Sequence, residues 1–211
     1  GDMGVGFPAK VPYHADLSAE DDIPLRDDQP LFVPHKARTV IANAPIVSSF
    51  HRFLRGNHDN PAMCREHPCF LGDGGYLGKM EMYFVSGGYS VDREGRTPGV
   101  TWWPEEELSA RALRRAIEEY ADVRPRIVVS HECPTAAKRF AVCHFSKIGT
   151  AGRTEKALQV MFEQHRPEVW IFGHHHLHVD VSLEGTRFIG LAELADGPVD
   201  ESLFEIPGLT W

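Results

Sequence analysis

PEVWIFGHHH, residues 167–176, is the stretch that decides the architecture. Pro167 punctuates the chain, Val169 to Phe172 make a short apolar run of strand length, and Gly173 releases the backbone into three successive histidines. The same plan occurs upstream in PRIVVSH, residues 125–131: Pro125 ends one element, and Ile127, Val128 and Val129 lead through Ser130 to His131. Between these runs, Ala157, Leu158, Met161 and Phe162 share one face of a helix spanning about 153–165. Helices alternating with short apolar strands predict an α/β layered domain, with functional side chains gathered where strands deliver their carboxyl ends.

Working outward, Leu177–Leu183 and Arg187–Leu191 flank Glu184-Gly185, a hairpin signal. Met80–Val85 predicts a further strand, running into the flexible Ser86-Gly87-Gly88. Pro104 opens the clearest helix. Glu105, Glu106 and Glu107 fall in its first turn, where the helix dipole favours acids, and Leu108, Leu113, Ile117 and Tyr120 form its apolar stripe. Phe50–Leu54 reads as a strand ending at Arg55-Gly56, whereas Thr39–Ile46, interrupted by Asn43 and Pro45, reads equally as helix or strand. Residues 1–10 are Gly-rich, and 11–38 form a mobile acidic loop in which acids and prolines accumulate from Asp16 to Asp28. No repeat or linker divides the chain, so 1–211 reads as one domain.

A chain of 211 residues, 42% hydrophobic and 25% charged, suffices for one sizeable core. No run approaches the roughly 20 apolar residues of a membrane span, and no signal segment opens the chain. The net charge of −8 disfavours non-specific binding to nucleic acid or membrane, though a metal's local charge could still steer a small phosphorylated substrate. Nor is there a basic stripe with interleaved aromatics of the kind a nuclease would use. Cysteines 64, 69, 133 and 143 form no C-x-x-C pair and read as free thiols of a reducing cytoplasm.

Twelve histidines are many for this length, and several follow apolar runs. Three strand exits end in metal-competent residues: Gly56-Asn57-His58-Asp59, His131, and Gly173-His174-His175-His176. Singly each has a plain explanation, a turn or a satisfied polar residue. Their order and shared context favour a metal site. Imidazole with a side-chain amide oxygen makes a mixed nitrogen and oxygen donor set, which fits a manganese, iron or zinc centre better than it fits a thiolate zinc site.

This ordered set resembles the calcineurin-like metallophosphoesterase family, whose motifs run Asp-x-His, Gly-Asp, Gly-Asn-His-Asp/Glu, a strand-terminal His and Gly-His-x-His. Gly1-Asp2, Gly56-Asn57-His58-Asp59, His131 and Gly173-His174-His175-His176 match the last four. Arg55–Pro61 and Trp102–Glu107 also look like small phosphoesterases of phages. The resemblance implies a layered β-sandwich flanked by helices. It also implies hydrolysis of a small phosphomonoester or phosphodiester by a hydroxide bridging two divalent metals, with manganese favoured and iron, zinc or nickel compatible. It assigns Asp2 as the bridging ligand, Asn57, His131 and His174 to one metal, and His176 to the other. By the same resemblance His58 protonates the leaving oxygen. Asp59 orients it or makes a turn, and Arg55 meets a phosphate or forms a salt bridge. The region 86–104 would wall the substrate cleft, and the paired Trp102-Trp103 within it would stack on a base or cap the core.

Asp-x-His occurs nowhere in the chain, and no strand precedes Asp2. The opening strand and first motif are therefore expected to be missing, which leaves three readings. The first βαβ portion comes from a separate polypeptide or was lost in cloning; the centre is incomplete or holds a single metal; or Gly1-Asp2 is no motif at all. A catalytically silent metal-binding module is the alternative function. Asp73, in Gly72-Asp73-Gly74-Gly75, stands in the wrong order for the motif and reads as a turn.

Overall fold

The computed structural model of the chain describes residues 52–141, 151–193 and 204–206. Asp2, the Gly-rich opening, the acidic loop at 11–38, the run at 39–46, Phe50, Cys143 and most of the tail from Asp196 lie outside them. From Met80 onward, each apolar run within these bounds that led to a strand assignment forms one. β1 (Gly74–Leu77) pairs antiparallel with β2 (Met82–Val85). β3 (Ile127–Ser130) and β4 (Val169–Phe172) continue parallel to β2. β5 (Val179–Leu183) and β6 (Thr186–Gly190) are the expected hairpin. Their two-residue turn has positive φ at Glu184 (49°) and Gly185 (87°), the backbone twist that joins antiparallel strands tightly. β6 docks parallel to β4, giving the order β1-β2-β3-β4-β6-β5 in one mixed six-stranded sheet among the described residues.

Four α-helices accompany the sheet within these bounds: α1 (Pro61–Glu66), α2 (Ala110–Val123), α3 (Thr135–Ala141) and α4 (Arg153–Gln164). Alternation along the strands aims Tyr83, Val85, Val128, Trp170, Phe172 and Phe188 at one face, where they meet Tyr120 of α2, Ala137 of α3 and Leu158, Met161 and Phe162 of α4. Trp170 anchors this layer. It is fully buried and stacked on Phe188 at 5.8 Å, and its indole N–H donates to the Ser130 hydroxyl at 2.8 Å. Phe84, Ile127, Ile171 and Ile189 on the opposite face are buried as well, as parallel strands require. The joint between α3 and α4 is ionic: Lys138 Nζ lies 2.6 Å from Glu155 Oε2, both side chains almost wholly buried, and the Thr135 hydroxyl donates to the other Glu155 oxygen at 2.8 Å.

One boundary differs from the sequence reading. The helix expected to open at Pro104 begins at Ala110, where the Ser109 hydroxyl caps it by accepting the Ala112 N–H. Instead of serving that helix, the buried Glu106 carboxylate accepts the Ser90 N–H of another loop at 3.1 Å, and that of Glu107 accepts the Thr154 N–H in the first turn of α4 at 2.7 Å. Farther upstream, Phe53 of the expected strand makes only an isolated parallel bridge to Phe70. Among the described residues no helix is long and apolar enough to cross a membrane.

Candidate metal centre and its surroundings

Parallel register builds the site. Ser130 stands opposite Phe172, so β3 and β4 release the chain side by side, with His131 and His174 one and two residues beyond. The Gly173 N–H donates to the His131 carbonyl at 3.1 Å, locking the two exits together. β2 ends beside β3, and its exit passes close behind the imidazoles. A Cβ on Gly88 would stand 3.1 Å from a His131 ring carbon and 3.6 Å from one of His174, so glycine is what permits this approach. The loop at 55–59 is tied in by the Gly87 N–H, which donates to the Arg55 carbonyl at 2.9 Å.

These contacts bring three donor atoms to one point. Asn57 Oδ1 lies 2.8 Å from His131 Nε2 and 3.1 Å from His174 Nδ1, and the two ring nitrogens are 3.1 Å apart. Ligands about 2.1 Å from a shared ion in neighbouring octahedral positions are ~3 Å apart, so the cluster has the spacing of one ion's coordination shell. The amide faces the right way because Asn57 Nδ2 donates to the Ser90 hydroxyl at 2.8 Å. Behind His174, Glu132 Oε2 is 3.3 Å from Nε2, the carboxylate–histidine pairing that orients an imidazole ligand. Burial alone would raise the Glu132 carboxyl. His174 and His175 outweigh that and hold it well below the usual carboxylate range. The residues present therefore fit a divalent ion.

Other residues singled out in the sequence take different places. His176 is more exposed, with Nδ1 2.9 Å from Glu193 Oε2. Both His174 (φ 68°) and His176 (φ 60°) sit in the left-handed region, which turns successive imidazoles in different directions. His58 is half-buried, its Nε2 3.2 Å from Arg96 Nη2, and Arg96 in turn meets Asp92 at 2.6 Å. Asp59 is buried and accepts the Gly56 N–H at 2.8 Å, a clasp across the loop that carries Asn57. Trp103 is buried in the core, and Trp102 is half-buried.

Arg55, expected to meet a phosphate or a surface partner, is instead enclosed. Its side chain is fully buried, with Nε 2.8 Å from Asp73 and Nη1 donating to the Glu106 carbonyl at 2.9 Å. Asp73, read as a turn residue, is thus an ion-pair partner shared with Arg65 at 2.9 Å. Burial would raise its carboxyl, but the two guanidiniums prevail and hold it below the ordinary 3.8. A carboxyl depressed in the folded state contributes stability above its unfolded value and loses it as pH falls through the folded one. Asp73→Asn should lower stability at neutral pH and flatten part of the acid decline below pH 3.8, measured by urea unfolding across pH. A mutant curve parallel to wild type through that range would rule the pair out as the titrating link.

Sequence reasoning passed over Ser90, Glu132, Glu193 and Arg96, and gave His175 no role of its own. Glu132 had a usable signal, since it adjoins His131 at the same strand exit; Ser90 and Arg96 lie in a loop with no periodicity to place them. No curated protein matches the chain. A family model for calcineurin-like phosphoesterase, however, matches residues 23–178, a span that includes every donor of the cluster. With the strand-exit motifs in order and the match covering most of its length, the chain belongs to the calcineurin-like phosphoesterase family, the metal-dependent hydrolases of phosphoesters.

Proposed function

We propose that this protein hydrolyses a small phosphomonoester or phosphodiester, with Asn57, His131 and His174 holding one divalent ion and His58 protonating the leaving oxygen. The observation that supports this reading is the convergence of those three donor atoms within 3.1 Å of one another. In the same reading His176 serves a second ion, Asp2 bridges the two, and manganese suits the nitrogen and oxygen donors best. When bound, such ions supply a water-derived nucleophile at neutral pH and offset charge on phosphoryl oxygens. Free Cys64, Cys69 and Cys133 suit a reducing, cytoplasmic setting.

The chain's own part concerns position and protons. Asp59 fixes the turn at Gly56, so Asn57 and His58 leave the loop in set directions. Arg55, anchored to Asp73 and the Glu106 carbonyl, holds that loop against the exit of β2 and acts as a brace. A guanidinium only donates, so His58 Nε2 accepts from Arg96 and the neutral ring carries its proton on Nδ1. Donation from Nε2 requires Arg96 to withdraw toward Asp92, its other partner.

His58→Ala should leave metal stoichiometry unchanged while lowering turnover of p-nitrophenyl phosphate or its bis ester by about 10²–10⁴-fold. Equal activity in the variant would remove His58 from the role of acid. No hydrolysis by the wild-type chain at full manganese occupancy would leave a metal-binding module in place of an enzyme.

A further inference from the structure

The strand exits that supply His131 and His174 supply a second set of donors one or two residues farther on. Glu132, Cys133 and His175 each offer one ligand atom, and the three atoms lie within 4.8 Å of one another. Glu132 and Cys133 are buried, and the His175 side chain is 10% exposed, which leaves a narrow approach from outside. His175 Nε2 is 2.8 Å from Glu132 Oε1 and 3.3 Å from Cys133 Sγ. That nitrogen carries at most one proton and faces two partners, whereas a cation would be shared by all three.

We propose that Glu132, Cys133 and His175 form a thiolate-containing site for a divalent cation of the zinc class, separate from the Asn57–His131–His174 centre. One sulfur, one imidazole nitrogen and one carboxylate oxygen are zinc's preferred donors, and three protein ligands leave a fourth position for water. The first centre has no sulfur, so the two sites differ in the metal they select. Binding sends the Cys133 thiol proton to solvent and leaves the ring proton of His175 on Nδ1. Glu132 links the sites: Oε1 faces His175, and Oε2 lies 3.3 Å from His174 Nε2. Filling the new site therefore fixes the carboxylate that orients a ligand of the first. The inference rests on side-chain placement and is independent of the phosphoesterase reading.

Cobalt(II) distinguishes the sites, because a thiolate ligand adds a sulfur-to-metal charge-transfer band in the near ultraviolet that nitrogen and oxygen ligands do not give. Titrating the full 211-residue chain with cobalt should produce this band, and Cys133→Ser should abolish it while the weaker visible bands of the first centre persist. Cys133 lies in the core, so His175→Gln provides a second arm. In that variant, with its fold checked by circular dichroism, the band should require at least ~10-fold more cobalt. Visible bands that saturate in the wild type without any near-ultraviolet band would overturn the proposal. So would a band of unchanged strength and affinity in His175→Gln, since the sulfur would then belong to another cysteine.

Discussion

His131→Ala should abolish divalent-metal binding at the centre and phosphoester hydrolysis with it. His131 is 1% exposed, and its Nε2 touches both other donors, at 2.8 Å and 3.1 Å. Its removal leaves Asn57 Oδ1 and His174 Nδ1 as a two-point site. Losing an outer partner of a metal ligand typically costs about 10–100-fold in affinity or activity, and losing the ligand itself should exceed that. Glu132→Gln, which leaves the three donors in place and weakens the support behind His174, should fall within the smaller range. Equilibrium dialysis with manganese, run beside p-nitrophenyl phosphate turnover, measures both effects. Stoichiometric manganese retained at wild-type affinity in His131→Ala would displace the centre from these residues.

The second large effect concerns stability. Lys138→Met should destabilise the fold by about 3–5 kcal/mol, because the Glu155 carboxylate, 1% exposed, would be left in the interior without its countercharge. For a chain of this size that corresponds to a fall in Tm on the order of 10 °C. Lys138→Met combined with Glu155→Leu should recover most of the loss, since removing both charges also removes the cost of desolvating them. Calorimetry or denaturant melts of the two variants test this pair. If the double variant were no more stable than the single, packing would account for the effect and charge would not.

Much of the sheet was legible because its strands are short apolar runs bounded by proline and glycine. Ile127–Ser130 and Val169–Phe172 announce themselves, and the Glu184-Gly185 hairpin follows from turn chemistry. The donors Asn57, His131 and His174 were legible for a related reason: polar residues placed directly after such runs point to a strand exit. What escaped was whatever depends on loop geometry. Pro104 and three glutamates mimic a helix start, yet burial turned Glu106 and Glu107 into acceptors for distant backbone N–H groups. Arg55 carries the same charge in a substrate clamp as in a buried brace, and only its enclosure by Asp73 and Glu106 distinguishes them. Glu132, Cys133 and His175 form no spacing motif, because parallel register and not sequence distance makes them neighbours.

That register also bears on how the protein comes apart. Asn57, His131 and His174 are separated by 74 and 43 positions along the chain, so nothing short of a closed sheet brings them together. The unfolded polymer gains little from an ion, since closing two such loops must come first. The folded form gains the whole binding free energy. An ion held by these three donors would then act as a latch across β3, β4 and the loop before α1, because separating any one of them would forfeit the ion. In the cell, metal supply would set not only the rate of turnover but the lifetime of the molecule against proteolysis of its opened forms.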